Sequence, residues 1–241
     1  GAPELTLEVK EEQIEVVSPP ATSLADLERS IRRGRRMAID AAAAADATVA
    51  ALGTSPYAEQ AHVVPNERYL RMAENFGRIL EETLTCGFHV HVAVSGLEEG
   101  VAVLDRIRVW LPIVLGLSAN SPFWHDAPSG FASYRYQAWG RWPTTGPSGI
   151  FGSAQAYRDR VALLMDSGVP LDEGMVYFDA RYSDKVPTVE IRVADVCTDA
   201  HHAATLAATI RTLVETASRL FDEVVVAVGV NKSKNRLFSP E

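Results

Sequence analysis

A single α+β domain, with helices packed on one face of an antiparallel sheet and an active site on the other, is the fold class that the sequence predicts. Three observations carry that expectation. Four candidate strands place apolar residues on one parity and acids, imidazoles or guanidinium groups on the other. Two of them, Met175 to Tyr182 and Thr188 to Asp195, are separated only by a short polar turn, the pattern of an antiparallel hairpin. The length of 241 residues, 47% of them hydrophobic and 22% charged, suits one sizeable core, so residues 1–241 are read as one domain.

Along the chain, Pro19-Pro20 ends a first strand, and Ser23-Leu24-Ala25-Asp26 has the spacing that satisfies free backbone donors at a helix start. A helix is predicted from about Ser23 to Ala45, then a short strand over Thr48 to Leu52. Pro65-Asn66-Glu67 opens a second helix running to about Glu82, and Leu84 to Ser95 reads as a strand. Glu98 to Ser118 is helical and nearly all apolar in its second half, which predicts a buried helix kinked at Pro112. Asn120 to Gly152 mixes Ser, Pro and Gly with aromatics, the composition of an ordered functional loop. Ser153 to Gly168 is a capped helix ending at a glycine, and Asp199 caps an Ala-rich helix reaching about Glu223.

Composition excludes several classes. Cys86 and Cys197 sit in no metal or disulfide spacing and read as core thiols. A net charge of −8 argues against a nucleic-acid partner, and Arg32-Arg33-Gly34-Arg35-Arg36 reads as a solvated helix face. The longest nearly unbroken apolar stretch, Val109 to Ala119, is too short to cross a bilayer, and no signal-peptide pattern opens the sequence. The expectation is a cytoplasmic protein with small-molecule substrates and no membrane partner, a homo-oligomer remaining open.

Strand parity then sorts the polar residues. Glu11, Gln13 and Glu15 share one face; His89 and His91 share another; Glu190 and Arg192 oppose Val189, Ile191 and Val193; Tyr177, Asp179 and Arg181 fall together. A sheet facing plain solvent more often carries Thr, Lys and Ser there. Carboxylates beside arginines suit polyphosphate with a divalent metal, since Mg²⁺ takes hard oxygen ligands and Arg binds phosphate in a planar fork. Taken singly, Glu190 with Arg192 also suits a structural ion pair, and Glu15 a solvated strand residue. His89 and His91 suit zinc only with a third ligand, and none stands nearby at a usual spacing. His201-His202, near a helix start, reads as surface.

Five ordered segments carry a resemblance. Glu12 to Pro20, Cys86 to Val92, Leu117 to Trp124, Ala132-Ser133-Tyr134-Arg135 and Thr188 to Asp195 resemble successive motifs of glutamate-cysteine ligase family 2, the carboxylate-amine ligases, over about Glu11 to Thr216. The resemblance implies a glutamine-synthetase-like catalytic sheet on which ATP phosphorylates a carboxylate to an acyl phosphate that an amine, such as cysteine, then attacks. It implies Mg²⁺ at Glu15 and Glu190, and a nucleotide site lined by His89 and His91. It also implies that Arg135 and Arg192 contact the transferring phosphate or substrate carboxylate, with Arg141 and Asp195 as further assignments. Removing Glu15 or Glu190 is expected to spare the fold.

Members of that family usually open with a Glu-rich strand before the Gln-Ile-Glu strand. Here about ten residues precede it, and Val224 to Glu241 matches nothing in the family. An additional acidic strand upstream of Glu11 and further C-terminal residues are therefore expected, because the Glu11 to Val17 strand otherwise lies at an uncovered edge. The rival readings are a catalytically silent, nucleotide-binding relative acting as an interaction subunit, and a zinc hydrolase using His89 and His91.

Overall fold

A computed structural model describes residues 1–183 and 185–227, the last six by backbone alone. Asp184 in the predicted hairpin turn, and residues 228–241 of the C-terminal segment, lie outside the described residues.

Alternating Val and polar residues build the central antiparallel sheet, in which β7 (Thr188–Ile191) lies between β3 (Val90–Ala93) and β6 (Ala180–Tyr182). The predicted hairpin is therefore present. The register sets His91 against Glu190 and Glu190 against Arg181, one charged row across three strands. Val90, Val92, Val189 and Ile191 take the other parity and enter one buried cluster with Val101, Leu104 and Ile107 of α4 (Leu97–Ile107) and Ile210 and Val214 of α8 (Ala200–Ala227). Burying those side chains supplies the main drive for this layer, at roughly 1.5–3 kcal/mol each.

A separate hairpin pairs β1 (Glu4–Leu7) with β2 (Ile14–Val17), Thr6 opposite Glu15. The edge of β2 expected to lie uncovered is thus paired within this chain, and Glu11 falls in the turn rather than on the strand. Helix α1 (Leu24–Ala44) begins as predicted, with Ser23 Oγ accepting from Asp26 N at 3.1 Å. It meets β2 so closely at Gly34 that a Cβ there would overlap Val16 Cγ1. Arg32, Arg33 and Arg36 are exposed as expected, whereas Arg35 donates to the Cys197 and Thr198 carbonyls and ties α1 to the start of α8.

Several expectations need correction. Thr48 to Leu52 forms no strand; the chain bonds one step later, through Gly53 to Asn120 and Cys86 and through Thr54 to Thr85. The second helix breaks at Gly77 into α2 (Glu67–Phe76) and α3 (Arg78–Glu81). Met175 belongs to a 3-10 turn, Glu173–Met175, so β6 is shorter than predicted, and β3 shortens likewise. The Pro112 region is a 3-10 turn, Arg108–Trp110, leading into α5 (Leu111–Ser118), and one whole side of it is exposed rather than buried.

The predicted functional loop holds a small hairpin of β4 (Phe123–Trp124) and β5 (Ala127–Pro128), then α6 (Tyr134–Trp139). Helix α7 (Ala154–Asp166) follows, capped by Ser153. Among the described residues, no helix is long and apolar enough to cross a membrane.

Gly34→Ala should destabilise the fold by about 1–3 kcal/mol through overpacking against Val16, even though alanine is the better helix former by about 1 kcal/mol. Urea unfolding measures this. Unchanged or increased stability would show that α1 and β2 are not in close contact.

Candidate active site

The β3–β7–β6 row carries a dense set of charges. Glu190 is 3% exposed, and burial by itself would raise its pKa. The guanidinium groups of Arg192 and Arg181 override that, helped by His89, and hold the carboxyl down at about 2. Arg181 Nε donates to Glu190 Oε2 at 2.7 Å and Arg192 Nη1 donates to Oε1, while His89 Nδ1 and His91 Nε2 stand 3.6 and 3.7 Å from Oε1. Both histidine pKa values are lowered, His89 well below the usual imidazole range. Burial is the chief cause for each, reinforced by Arg192 at both rings and opposed by Glu190. Both rings are neutral at pH 7.

Arg181 is locked in place, its Nη1 donating to the carbonyls of Glu173, Gly174 and Val176. Arg192 is not. Its Cζ lies 5.8 Å from the Tyr177 ring centroid, it pairs with Glu190, and its buried Nε has no hydrogen-bond partner among the described residues. The guanidinium thus keeps donor capacity on the face where strand parity places His89 and His91.

The β1–β2 hairpin turns its polar face toward this row. Gln13 Nε2 donates to the Thr85 carbonyl at 2.7 Å, and the Glu15 carboxylate, accepting from Thr6 Oγ1 at 2.9 Å, adds its field at His91. Sequence reasoning missed Glu8. Two residues beyond Thr6, it shares the face of Gln13 and Glu15, and its carboxylate accepts from the Val9 N–H. Burial raises its pKa, Glu15 pushes the same way, and the Val9 hydrogen bond, Arg192 and Arg68 oppose. The signal was present in the alternation of Leu5, Leu7 and Val9 with Thr6 and Glu8. Arg68, held by Asp172 at 2.7 and 3.1 Å, was also missed.

Arg135 and Asp195 occupy a second, fully buried centre. Asp195 Oδ2 accepts from Ser121 Oγ at 2.6 Å and from Asn120 N at 3.0 Å, Oδ1 accepts from Ser133 Oγ at 2.9 Å, and Arg135 Nη1 lies 3.7 Å away. Ser133 also caps α6. The Arg135 guanidinium, 4% exposed, donates to the Val193 and Arg192 carbonyls, and a Cβ on Gly87 would overlap it. In this arrangement Arg135 props the β7 extension beneath Arg192 rather than facing outward.

Arg141 stands apart, paired with Glu82. It lines a cavity of ≈ 280 Å³ with Tyr136, Gln137, Trp139 and Thr145. Tyr136 Oη donates from that wall to Asp179 Oδ2 at 3.0 Å, and Asp179 accepts from Arg192 N through its carbonyl, so the cavity adjoins the charged row. His201 and His202 are exposed, as expected. Among the described residues, no three His, Cys, Asp or Glu side chains converge closely enough to hold a metal ion by themselves.

The model of glutamate-cysteine ligase family 2 matches residues 3–234. The chain belongs to that family. It is 56% identical over 218 residues to "Putative glutamate--cysteine ligase 2-1" of Paenarthrobacter aurescens, covering 90% of this chain and 57% of the relative. A second protein of that organism, "Putative glutamate--cysteine ligase 2-3", is 55% identical over 214 residues, 89% of this chain and 50% of its own length. "Putative glutamate--cysteine ligase 2-1" of Streptomyces avermitilis is 50% identical over 212 residues, 88% and 59% of the two chains. The chain spans little more than half the length of these curated relatives.

Glu190 is buried and paired with two guanidinium groups, so its removal is expected to cost stability, against the expectation from sequence that the fold is spared. Glu190→Gln should cost about 3–5 kcal/mol in urea unfolding, because it strands two buried guanidinium groups. The pH dependence has a defined sign: with the folded pKa depressed, the stabilisation is present above the unfolded value of 4.5 and is lost as pH falls through about 2. Wild type should therefore lose roughly 3 kcal/mol across that window that the variant never had. Equal stabilities and superimposable acid profiles would show that the pairing contributes nothing to folding.

Proposed function

We propose that the chain carries the catalytic sheet of an ATP-dependent carboxylate-amine ligase, which joins the glutamate side-chain carboxylate to an amine such as cysteine through an acyl phosphate. The carrying observation is Arg192, with its unpartnered buried Nε, beside the His91, Glu190 and Arg181 row. The names of the relatives point the same way. A glutamine-synthetase-like fold in one catalytic domain, acting on small molecules in the cytoplasm, belongs to the same proposal; helices behind the apolar face of the central sheet support it.

The donor set fits Mg²⁺ with a nucleotide on one condition. Mg²⁺ keeps part of its shell for phosphate and water, so one or two carboxylates suffice. Glu15 and Glu8 are within 4 Å of no protein cation among the described residues, whereas both Glu190 oxygens are engaged by arginines. We therefore assign Glu15, joined by Glu8, as the main metal ligands, with Glu190 contributing as Arg192 turns toward phosphate. When bound, the metal neutralises phosphate charge and makes ADP the better leaving group.

The residues of the chain position and neutralise. In the first step a substrate carboxylate oxygen bonds to the γ-phosphorus as the bond to ADP breaks; in the second the amine nitrogen bonds to the acyl carbon, phosphate leaves and the nitrogen loses a proton. Arg192 contacts the transferring phosphate or the substrate carboxylate, with Arg135 fixing the backbone under it. Neutral His89 and His91 offer hydrogen bonds to the nucleotide without adding charge, and Arg141 reaches it from the adjoining cavity. A second reading, a silent nucleotide-binding relative serving as an interaction subunit, is favoured by the full engagement of Glu190.

Incubation with ATP, Mg²⁺, glutamate and a panel of amines should give amine-dependent ADP release, lowered at least ~100-fold in Glu15→Gln with an unchanged unfolding midpoint. His89→Ala should weaken ATP binding several-fold in calorimetry. ATP binding without turnover in wild type would establish the silent reading. Full activity and unchanged metal dependence in Glu15→Gln would remove Glu15 from the site.

A further inference from the structure

Lys10 lies in the turn of the β1–β2 hairpin, between Glu8 and Glu15, and is 1% exposed. Its Nζ reaches two backbone carbonyls, Ala61 at 3.4 Å and Glu81 at 3.5 Å, and forms no ion pair among the described residues. Both bonds are long for an N–H donor, and an ammonium has three protons to place. Burying such a group with so few partners costs free energy, and a hydrocarbon of the same length fills such a site as well or better. Stability therefore gives no reason for a lysine here.

The position of the two carbonyls supplies one. Glu81 ends α3, and the residues after it hold the rest of the site: Glu82 pairs with Arg141, Thr83 Oγ1 accepts from Trp142 Nε1 at 3.1 Å, and the Thr85 carbonyl accepts from Gln13 as the chain enters the histidine strand. Ala61 precedes the segment to which the hairpin turn is stitched. Lys10 bridges to Val63, Glu11 N donates to the His62 carbonyl at 2.9 Å, Val64 N donates to the Val9 carbonyl at 3.0 Å, and the Glu12 carboxylate accepts from His62 N. Lys10 Nζ thus joins the turn between the two acids to the helix end that carries the Arg141 cavity and leads into β3.

We propose that Lys10 is a positioning residue for the Glu8 and Glu15 carboxylates, holding the hairpin turn on the C-terminal end of α3 and so fixing both acids relative to the Arg141 cavity and the histidine strand. The proposal rests on the reading of Glu8 and Glu15 as metal ligands. Lys10 touches neither metal nor nucleotide and acts through the backbone on either side of it. Mg²⁺ demands oxygens in near-octahedral places, so acids on a turn that shifts bind it poorly. A two-stranded hairpin is marginal by itself. Its β2 strand packs on α1 at Gly34, whereas its turn is held by Lys10 and the His62–Val64 stitches. The lysine gives up stability to hold the acids still.

Lys10→Met keeps the stem and removes the tether, and its urea midpoint should equal or exceed that of wild type. Hydrogen exchange of the free protein should be at least ~10-fold faster at the Glu11, Gln13 and Val64 amides, with the β7 amides unchanged. The Mg²⁺ concentration that half-saturates ATP binding in calorimetry should rise at least ~10-fold. A variant less stable than wild type, or one that does not fold, would make Lys10 a stability contact and overturn the proposal. Unchanged exchange at the turn would show that Lys10 tethers nothing, and faster exchange with an unchanged Mg²⁺ requirement would show that the tether does not serve the acids; either overturns it. Wild-type protein that binds no ATP at any Mg²⁺ concentration would overturn the proposed function and this role with it, an outcome distinguishable from the others because it needs no variant.

Discussion

Burial of the Glu190 carboxylate between the Arg181 and Arg192 guanidinium groups is the interaction on which the charged face of the central sheet depends. Taking a carboxylate out of water costs several kcal/mol, and only close, well-bonded cations offset it. Arg181 supplies the fixed half of that compensation through its three backbone carbonyls. Arg192 supplies the other half, through Nη1, and its buried Nε has no hydrogen-bond partner among the described residues. The same two cations help hold His91 neutral, and Arg192 does so at His89. One buried acid therefore ties the charged row together and directs the arginine proposed to meet phosphate, while burial and the cations keep the imidazoles neutral against its field.

Asp195 does the corresponding work one layer deeper. It gathers Asn120, Ser121, Ser133 and Arg135 onto one carboxylate, and its own N–H reaches Ser118 Oγ at 3.1 Å. The end of α5, the start of α6 and the extension of β7 are thereby fixed to one another. Ser118, Asn120 and Ser121 of the Leu117 to Trp124 segment, and Ser133 and Arg135 of the Ala132 to Arg135 segment, are all bonded or paired within this network. A loop anchored in this way can border a binding site without being mobile.

Strand parity made His89, His91, Glu190, Arg192 and Arg181 legible, because a period of two is geometric and survives errors in strand length. Helix starts at Ser23, Asn66, Ser153 and Asp199 were legible because capping needs only neighbouring residues. What depended on distant partners was not legible. The burial of Arg135 rests on Gly87 and on β7 carbonyls, and Arg68 meets Asp172 from 104 residues away. Glu8 was passed over because the first strand was not recognised as half of a hairpin. The apolar run of α5 was misjudged for a different reason: with no charged residue to mark a solvent side, composition alone did not say which of its residues face the core.

Membership of glutamate-cysteine ligase family 2 gives this architecture its chemical setting, and the account stands on whether the Glu190 row is where nucleotide binds. Histidine ring resonances of the protein, followed by NMR during titration with ATP and Mg²⁺, test that most directly, because His89 and His91 flank the row while His62, His125, His201 and His202 lie elsewhere. The account predicts saturable shifts of the His89 and His91 rings with little change in the other four. Shifts confined to the other histidines, or saturation with none at His89 and His91, would contradict it.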